Sequence, residues 1–572
     1  MISIKDQVNK KEKIKESEKV KNIKFNILAI TCIILFCTVL APVTLQNDTY
    51  YTIKIGELIV NTGKVDMQDH FSWHTGLPYS YPHWAYDVAT YLIYNLWSFT
   101  GIFVSTIILS CILGISIYVT NKKISKNKLV SFILTLGAMY LIKDYIAARA
   151  QLVSFILLEL TILCIEKFLE TKKIRYAVFL FLIAIAIANI HCAVWPFFFV
   201  LFLPYIAEYL ITLDYTKMIY WMKNKYYQHQ LKKYSSNKKK YKNAEEEISK
   251  INAKFEKTKE DETKKLANRE KQINNPYKIK TVKISAVKWL IVVMIVCALA
   301  GLLTPIGDMP YVHLYKLMQG NSTQSISEHL PLTLINNKPI MIILAFLIAI
   351  LAFTNVKIRW KDLFMLAGLA LMMFMTRRQV SMFAIFGSAI LATLISDLFA
   401  KYDKDGTVEM EKIMTTTLGT VATVLVVALF MIVQIKGEVN DKYVNEKSYP
   451  VEAAEYIKNN IDMSKMRLFN EYNYGSYLIY EGIPVFIDSR CDLYTPQFNK
   501  TEDYPDGRDI FTDYINTSNI SRYYEKTFDQ YDITHIILYK NSKLSMLLSK
   551  DPDHYTSIYS DDNFIIYQRN VD

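Results

Sequence analysis

The sequence contains no CxxC pair and no HExxH run, which removes the common structural-zinc and zinc-protease patterns. No P-loop or GxGxxG stretch opens a helix, so no nucleotide-binding fold is visible. The 7 cysteines do not form a disulfide framework. Cys32, Cys37, Cys111, Cys164 and Cys297 fall inside apolar runs, where small thiols are ordinary core residues. That leaves Cys192, at a membrane boundary, and Cys491, near the C-terminus, and little favours a bridge between them. No inverted repeat is seen, which counts against a common transporter plan. No small-residue cleavage site follows the first apolar run, so that run reads as a retained span rather than a cleaved signal.

What the chain has in quantity is apolar sequence. Hydrophobic residues make up 52% and charged residues 21% of the 572 positions, so the charge must be segregated from the apolar runs. A mean hydropathy of +0.14 is high for a soluble protein. Runs near the ~17–25 residues that cross ~30 Å of hydrocarbon are Phe25–Pro42, Ile102–Val119, Leu152–Phe168, Ala193–Leu213, Val287–Thr304, Ile340–Phe353, Val380–Ala400 and Met414–Ile435. Leu129–Ile142, Tyr176–Ile190 and Leu363–Phe374 are shorter and need a polar cavity at one end. The expectation is a polytopic α-helical membrane protein with about eleven crossings.

Lysine and arginine set the orientation. Lys5 to Lys24, Lys122–Lys128, Lys167–Arg175, Lys217–Lys288, Lys357–Lys361 and Lys401–Lys412 fall on one side when the spans alternate. This predicts a multi-pass cell-membrane protein with a cytoplasmic N-terminus (1–24), a transmembrane unit (25–441) and an extracytoplasmic C-terminal unit (442–572). The net charge of +12 then reflects topology and contact with anionic membrane lipid; nucleic acid is not an expected partner.

Three polar parts interrupt the apolar pattern. The insertion 214–287 is charged and apolar-poor and reads as a helical hairpin or a partly disordered segment without a catalytic role. The segment 442–572 reads as a small α/β domain. It has helical Val451–Asn459 and Tyr474–Glu481, buried strands at Pro484–Asp488 and His535–Tyr539, and a hairpin of Tyr555–Ser560 with Asn563–Gln568. Asp488, Arg490 and Glu471 either face a ligand or, for Asp488 and Arg490, pair to hold the fold. The most informative part is the loop 46–87, which carries Asp48, Glu57, Asp66, Asp69, His70, His74, His83 and Asp87 beside the interfacial Trp73 and Trp84.

The costly polar residues of the membrane unit gather at the outer ends of spans: Arg149 and Gln151, Asn189 and His191, Asp308, Glu328 and His329, Arg377 and Arg378. Singly, Arg149 reads as an interfacial anchor and His191 as an interhelical hydrogen-bond donor. Together they suggest a site. Arg149, Arg377 and Arg378 match a phosphate by the guanidinium fork, and Asp48, then Asp69, then Asp66, are the candidate bases or metal ligands.

The stretches Asp48-Thr-Tyr-Tyr-Thr-Ile-Lys-Ile-Gly56, Gly63-Lys-Val-Asp-Met-Gln-Asp-His-Phe-Ser72 and Pro82-His-Trp84 resemble the first outer loop of bacterial GT-C-type integral-membrane glycosyltransferases, related to the dolichyl-phosphate-mannose and aminoarabinose transferases. Arg149-Ala-Gln151, Asn189-Ile-His191, Thr304-Pro-Ile-Gly307, Ser327-Glu328, Phe469-Asn-Glu-Tyr-Asn-Tyr-Gly475 and Val485-Phe-Ile-Asp-Ser-Arg490 extend the likeness. One departure is that Asn47 stands beside Asp48, where relatives often carry an acidic pair; the base and any metal requirement stay open.

The resemblance implies transfer of a sugar from a polyprenyl-phosphate donor to an extracytoplasmic glycan, lipid or protein, with inversion. Asp48, Asp69 or Asp66 would act in catalysis. Arg149, Gln151, His83, Asn189, His191, Glu328, Arg377 and Arg378 would bind substrate. No cofactor is assigned, and a divalent cation is compatible with the acidic loop. The alternatives are a non-enzymatic transporter or cell-envelope assembly protein, and a transferase-like scaffold.

Overall fold

The computed structural model describes residues 23–213, 215–236, 243–274, 278–320, 326–435 and 442–570. Most of the basic N-terminal stretch and the Lys238–Lys242 run therefore lie outside the described residues. Five helices among the described residues are long and apolar enough to cross a membrane: Ile23–Leu40, Trp84–Ser125, Cys192–Thr212, Arg377–Tyr402 and Thr417–Gln434. Lys128–Leu141, Ile174–Ile190, Val287–Leu302 and Lys338–Phe353 are apolar but shorter. Reaching the expected eleven would also need Ala150–Thr171 and Trp360–Met375. Ala150–Thr171 keeps Glu159 buried inside the bundle, as a carboxyl at that depth requires.

The insertion forms two helices, Tyr215–Ser236 and Ala244–Asn274, which meet where Tyr220 and Tyr227 pack on Phe255. Towards the C-terminal end of Ala150–Thr171, far from Arg149, ion pairs tie the bundle together. Lys361 reaches Glu166 at 2.8 Å, and the Arg359 Nε donates to both Glu208 oxygens at 2.9 and 2.8 Å.

The first loop is folded rather than extended. Asn47–Thr62 is a helix that ends on Gly63 at φ +67°, the left-handed conformation glycine adopts without strain. A second helix starts at Trp84 and runs through to Ser125, broken at Trp97 and Ser98, where Ser98 has φ 54°. The loop's second half therefore continues past Asp87 as helix before the chain turns into the bundle. The two loop helices cross closely at Gly56, where a Cβ would lie 2.2 Å from the Asp87 carbonyl oxygen.

The C-terminal segment contributes a four-stranded sheet in the order Leu468–Phe469, His535–Tyr539, Phe564–Arg569, Tyr555–Ser560. The first pair is parallel and the others antiparallel. Helices Val451–Asn460, Tyr472–Tyr480 and Lys543–Leu548 belong to the same segment. Pro484–Asp488, expected as a strand, is buried but joins no sheet; Val485 makes a single parallel bridge to Ser72 of the first loop. That pairing satisfies a backbone that would otherwise be buried without partners.

First loop and C-terminal segment share one apolar core, in which Tyr50, Ile55 and Tyr81 pack with Tyr449, Phe469, Tyr477 and Phe486. Polar contacts cross the same boundary. Trp73 Nε1 donates to the Leu468 carbonyl at 3.0 Å, and Asn47 Nδ2 to the Tyr472 carbonyl at 3.0 Å. At the centre, Arg490 meets Asp69 at 2.5 Å and Asp488 at 2.8 Å, with all three side chains fully buried. Tyr494 also donates to Asp488.

Removing Arg490 leaves two buried carboxylates without a counter-charge. Arg490→Met should cost about 3–5 kcal/mol, as for other broken buried ion pairs. Thermal unfolding in detergent will measure it, and a loss below about 1 kcal/mol would mean that water enters the site.

Candidate functional site

The polar residues at helix ends converge on one face of the bundle. Asp48 is the second residue of Asn47–Thr62, Arg149 immediately precedes Ala150–Thr171, and Arg378 precedes Val380–Tyr402. Helix starts are where the chain can carry charge at a membrane boundary without burying it in lipid.

Arg149 donates to the Asp48 carboxylate and stands 3.8 Å from Glu328, so one guanidinium faces two carboxylates. Burial alone would lower the Arg149 pKa, but Asp48 and Glu328 hold it above its ordinary value. Among the described residues the Arg149 Nε is buried without a hydrogen-bond partner. Arg378 donates to Gln151 Oε1 at 3.5 Å and lies within electrostatic reach of Arg149, Glu328 and Asp48. Arg377 points elsewhere: its Nε donates to the Pro331 carbonyl at 3.4 Å, and its own carbonyl accepts from Tyr145 at 2.9 Å. Of the three arginines expected to clamp a phosphate, Arg149 and Arg378 lie in this cluster, while Arg377 takes partners elsewhere across the turn Arg377–Gln379.

His191 Nδ1 bonds Ser154 Oγ at 2.8 Å. Burial and the nearby charges of Arg378, His83, His313 and Arg149 hold its pKa well below that of ordinary imidazole, so it is neutral. Asn189 accepts from Trp84 Nε1 at 3.1 Å and donates to the Leu303 carbonyl at 3.0 Å, locking loop to bundle. His83 Nδ1 lies 2.7 Å from Asp87.

Asp69 and Asp66 are not at this cluster. Burial would push Asp69 up, but Arg490 and the Ser72 hydrogen bonds more than offset it, and the carboxyl sits below its ordinary value. Its contacts hold the loop on the C-terminal segment. Asp66 is half-exposed, bonded to His70 at 2.7 Å and accepting from Tyr81 at 3.2 Å. Asp488 and Arg490 pair within the fold rather than facing a ligand. His74 is also structural. It bonds the Phe486 carbonyl at 2.8 Å, and burial pushes its pKa down to about 4. No disulfide joins Cys192 to Cys491.

Two features of the cluster have little sequence signal. Tyr51, one helical turn after Asp48, bonds His83 Nε2 at 3.1 Å. His313 Nε2 meets Asp492 at 3.1 Å, bringing the C-terminal segment to the bundle. The three-residue Asp48/Tyr51 spacing, which puts both on one helix face, is the local signal that could have found the first. Nothing local links His313 to Asp492. Among the described residues no three His, Cys, Asp or Glu side chains converge to hold a metal ion.

No family model matches the chain, and no curated protein matches it in sequence. Its fold is similar to that of the Archaeoglobus fulgidus oligosaccharyltransferase in its apo crystal structure, at TM-score 0.50 and 11% identity, over 96% of this chain and 74% of that one. The same enzyme, AglB, in complex with an inhibitory peptide and a dolichol-phosphate matches at TM-score 0.50 and 12% identity, over 97% and 74%. At such identity the likeness is one of fold alone.

The Asp48–Arg149 pair is partly shielded from solvent, so its members should be coupled. A double-mutant cycle with Asp48→Asn and Arg149→Met should give an interaction energy of about 1–3 kcal/mol by detergent-state unfolding. Additive single effects would show that the two groups act independently.

Proposed function

We propose that this chain is a membrane glycosyltransferase that moves a sugar from a polyprenyl-phosphate donor to an extracytoplasmic glycan, lipid or protein, with inversion at the anomeric carbon. One observation carries the reading: Arg149 and Arg378 lie within electrostatic reach of each other at the starts of two bundle helices, and among the described residues the buried Arg149 Nε–H has no hydrogen-bond partner. Helix N-termini carry positive potential, which together with the two guanidinia favours a bound anion beside the Asp48 and Glu328 carboxylates. A phosphate on a lipid chain would reach this place laterally, within the plane of the membrane. The dolichol-phosphate in the complex of a fold neighbour supports the same donor class. Within GT-C proteins we place the chain nearest the dolichyl-phosphate-mannose and aminoarabinose transferases, on the first-loop motifs.

The donor phosphate would bind Arg149 and Arg378, with Gln151 steadying Arg378. Asp48 and Glu328 flank the sugar end and accept hydrogen bonds from hydroxyls. As the bond from the anomeric carbon to the phosphate oxygen breaks, both guanidinia stabilise the leaving charge. The residues present do not suit a divalent cation, because the Arg149 guanidinium stands where a cation would bridge Asp48 and Glu328. In this reading Arg149 is itself the cation of the site.

The cluster belongs on the extracytoplasmic side, with the C-terminal unit, and the lysine-rich helices on the cytoplasmic side. On a cysteine-free background, a membrane-impermeant thiol reagent added outside intact cells should label Asp551→Cys and spare Lys254→Cys. The reverse pattern would invert the topology.

Native mass spectrometry with undecaprenyl phosphate tests the donor site. The wild type should carry one adduct. Arg149→Ala and Arg378→Ala should each weaken it by about 2–5 kcal/mol, the cost of removing one partner from a desolvated charge pair. Lysine should rescue only in part, lacking the fork, and Arg377→Ala should behave as wild type. No adduct in the wild type, or equal adducts in both alanine variants, would defeat the phosphate site.

A further inference from the structure

With Asp48 already bound by Arg149, the cluster needs another group to take the proton that an acceptor hydroxyl loses as it attacks.

The close crossing of the two loop helices at Gly56 assembles a second set of groups beside it. Asp87 is fully buried, and its Oδ1 lies 2.7 Å from His83 Nδ1. A carboxylate only accepts, so Nδ1 carries the ring proton and Nε2 is left as an acceptor. The Tyr51 hydroxyl lies 3.1 Å from that Nε2, and the two rings stack at 5.7 Å. Tyr51 shares its helix face with Asp48 and lies within electrostatic reach of both Asp48 and Arg149. The order Asp87, His83, Tyr51 therefore leads from a buried carboxylate to the arginine-lined cluster.

We propose that Tyr51 and His83, oriented by Asp87, form the proton relay of the transfer reaction, a role that rests on the glycosyltransferase reading above. The acceptor O–H proton passes to Tyr51 Oη while the Tyr51 proton passes to His83 Nε2. The acceptor oxygen forms the new bond to the anomeric carbon. The bond to the polyprenyl phosphate breaks, and its electron pair leaves with the phosphate, beside Arg149 and Arg378. Asp87 stabilises the imidazolium, which then gives its proton to solvent. Asp87 is a positioning residue in this scheme.

The groups facing His83 are Asp87 on its own helix, Asp48 and Tyr51 on Asn47–Thr62, Asp492 from the C-terminal segment and His191 beyond Ile174–Ile190. Burial pulls the imidazole pKa down, but Asp87, helped by Asp48 and Asp492, more than offsets this, and the value stands above that of ordinary histidine. The accepting form therefore grows as pH rises through this raised value, giving the rate an acid-side limb there. Removing the Asp87 charge lowers the pKa and moves the limb to lower pH.

The test uses the full chain in nanodiscs with undecaprenyl-phosphate-glucose, water serving as acceptor and released glucose as the readout. Undecaprenyl-phosphate adducts are followed beside it by native mass spectrometry, and histidine titration by NMR. Tyr51→Phe and His83→Gln should lower kcat about 100-fold, within the usual range for a lost acid–base group, with the adduct unchanged. Asp87→Asn should shift both the acid limb and the His83 titration to lower pH. Normal adducts with wild-type kcat in Tyr51→Phe and His83→Gln would overturn the relay alone, as would a His83 titration unmoved by Asp87→Asn. A wild type with neither adduct nor glucose release would overturn the transferase reading and the relay with it.

Discussion

The geometry of this protein depends on one buried guanidinium. Arg490 is held between Asp69 of the first loop and Asp488 of the C-terminal segment, against the rings of Phe71 and Tyr79. Two carboxylates and one arginine in an apolar setting tolerate little displacement, since any gap strands a charge without water. The loop is tied at its other limits by Leu45 to Tyr443 and by Cys192 to Pro82, both through backbone hydrogen bonds. Its first helix is thereby fixed over the bundle, and Asp48 arrives at Arg149.

A second constraint comes from the membrane. Charged side chains are excluded from lipid-facing helix interiors, so they collect at helix ends or pair inside the bundle. At one end, near Glu166 and Glu208, the pairs are closed: Lys361 and Arg359 each have a carboxylate in place. At the other end the arrangement is open. Among the described residues the Arg149 Nε–H has no hydrogen-bond partner, Arg378 makes a long contact to Gln151, and Glu328 is half-exposed. The two ends of the bundle thus differ in how fully their charges are satisfied.

The loop carries acid–base residues of three kinds. Asp69 and His74 serve the fold, and their displaced pKa values, one below ordinary carboxyl and the other about 4, mark burial rather than chemistry. Asp66 and His70 form a half-exposed pair on the surface. Asp48 pairs with Arg149, and Tyr51, His83 and Asp87 form a hydrogen-bonded chain that starts one helical turn from Asp48. Residues within a few positions of one another therefore have unrelated roles, set by which neighbour each side chain meets.

Much was already determined by the sequence alone. The apolar runs set the helical class, because ~20 consecutive apolar residues have few other stable solutions. Of the polar residues that sequence placed at span ends, the fold brings Arg149, Gln151, Glu328 and Arg378 together. The hairpin Tyr555–Ser560 with Phe564–Arg569 followed from local pattern. Tertiary structure alone decided the rest. Sequence ranked Asp69 beside Asp48 as a catalytic carboxylate, but its partner Arg490 lies 421 positions away, and no local signal carries that distance. Arg377 and Arg378 are adjacent in sequence and diverge only because a short turn aims them apart. Pro484–Asp488 has the composition of a strand, yet its pairing went to the first loop instead of the sheet. Local sequence sets what a residue is able to do through its side chain and its helix face; which charge is balanced and which is left open depends on partners brought from far along the chain.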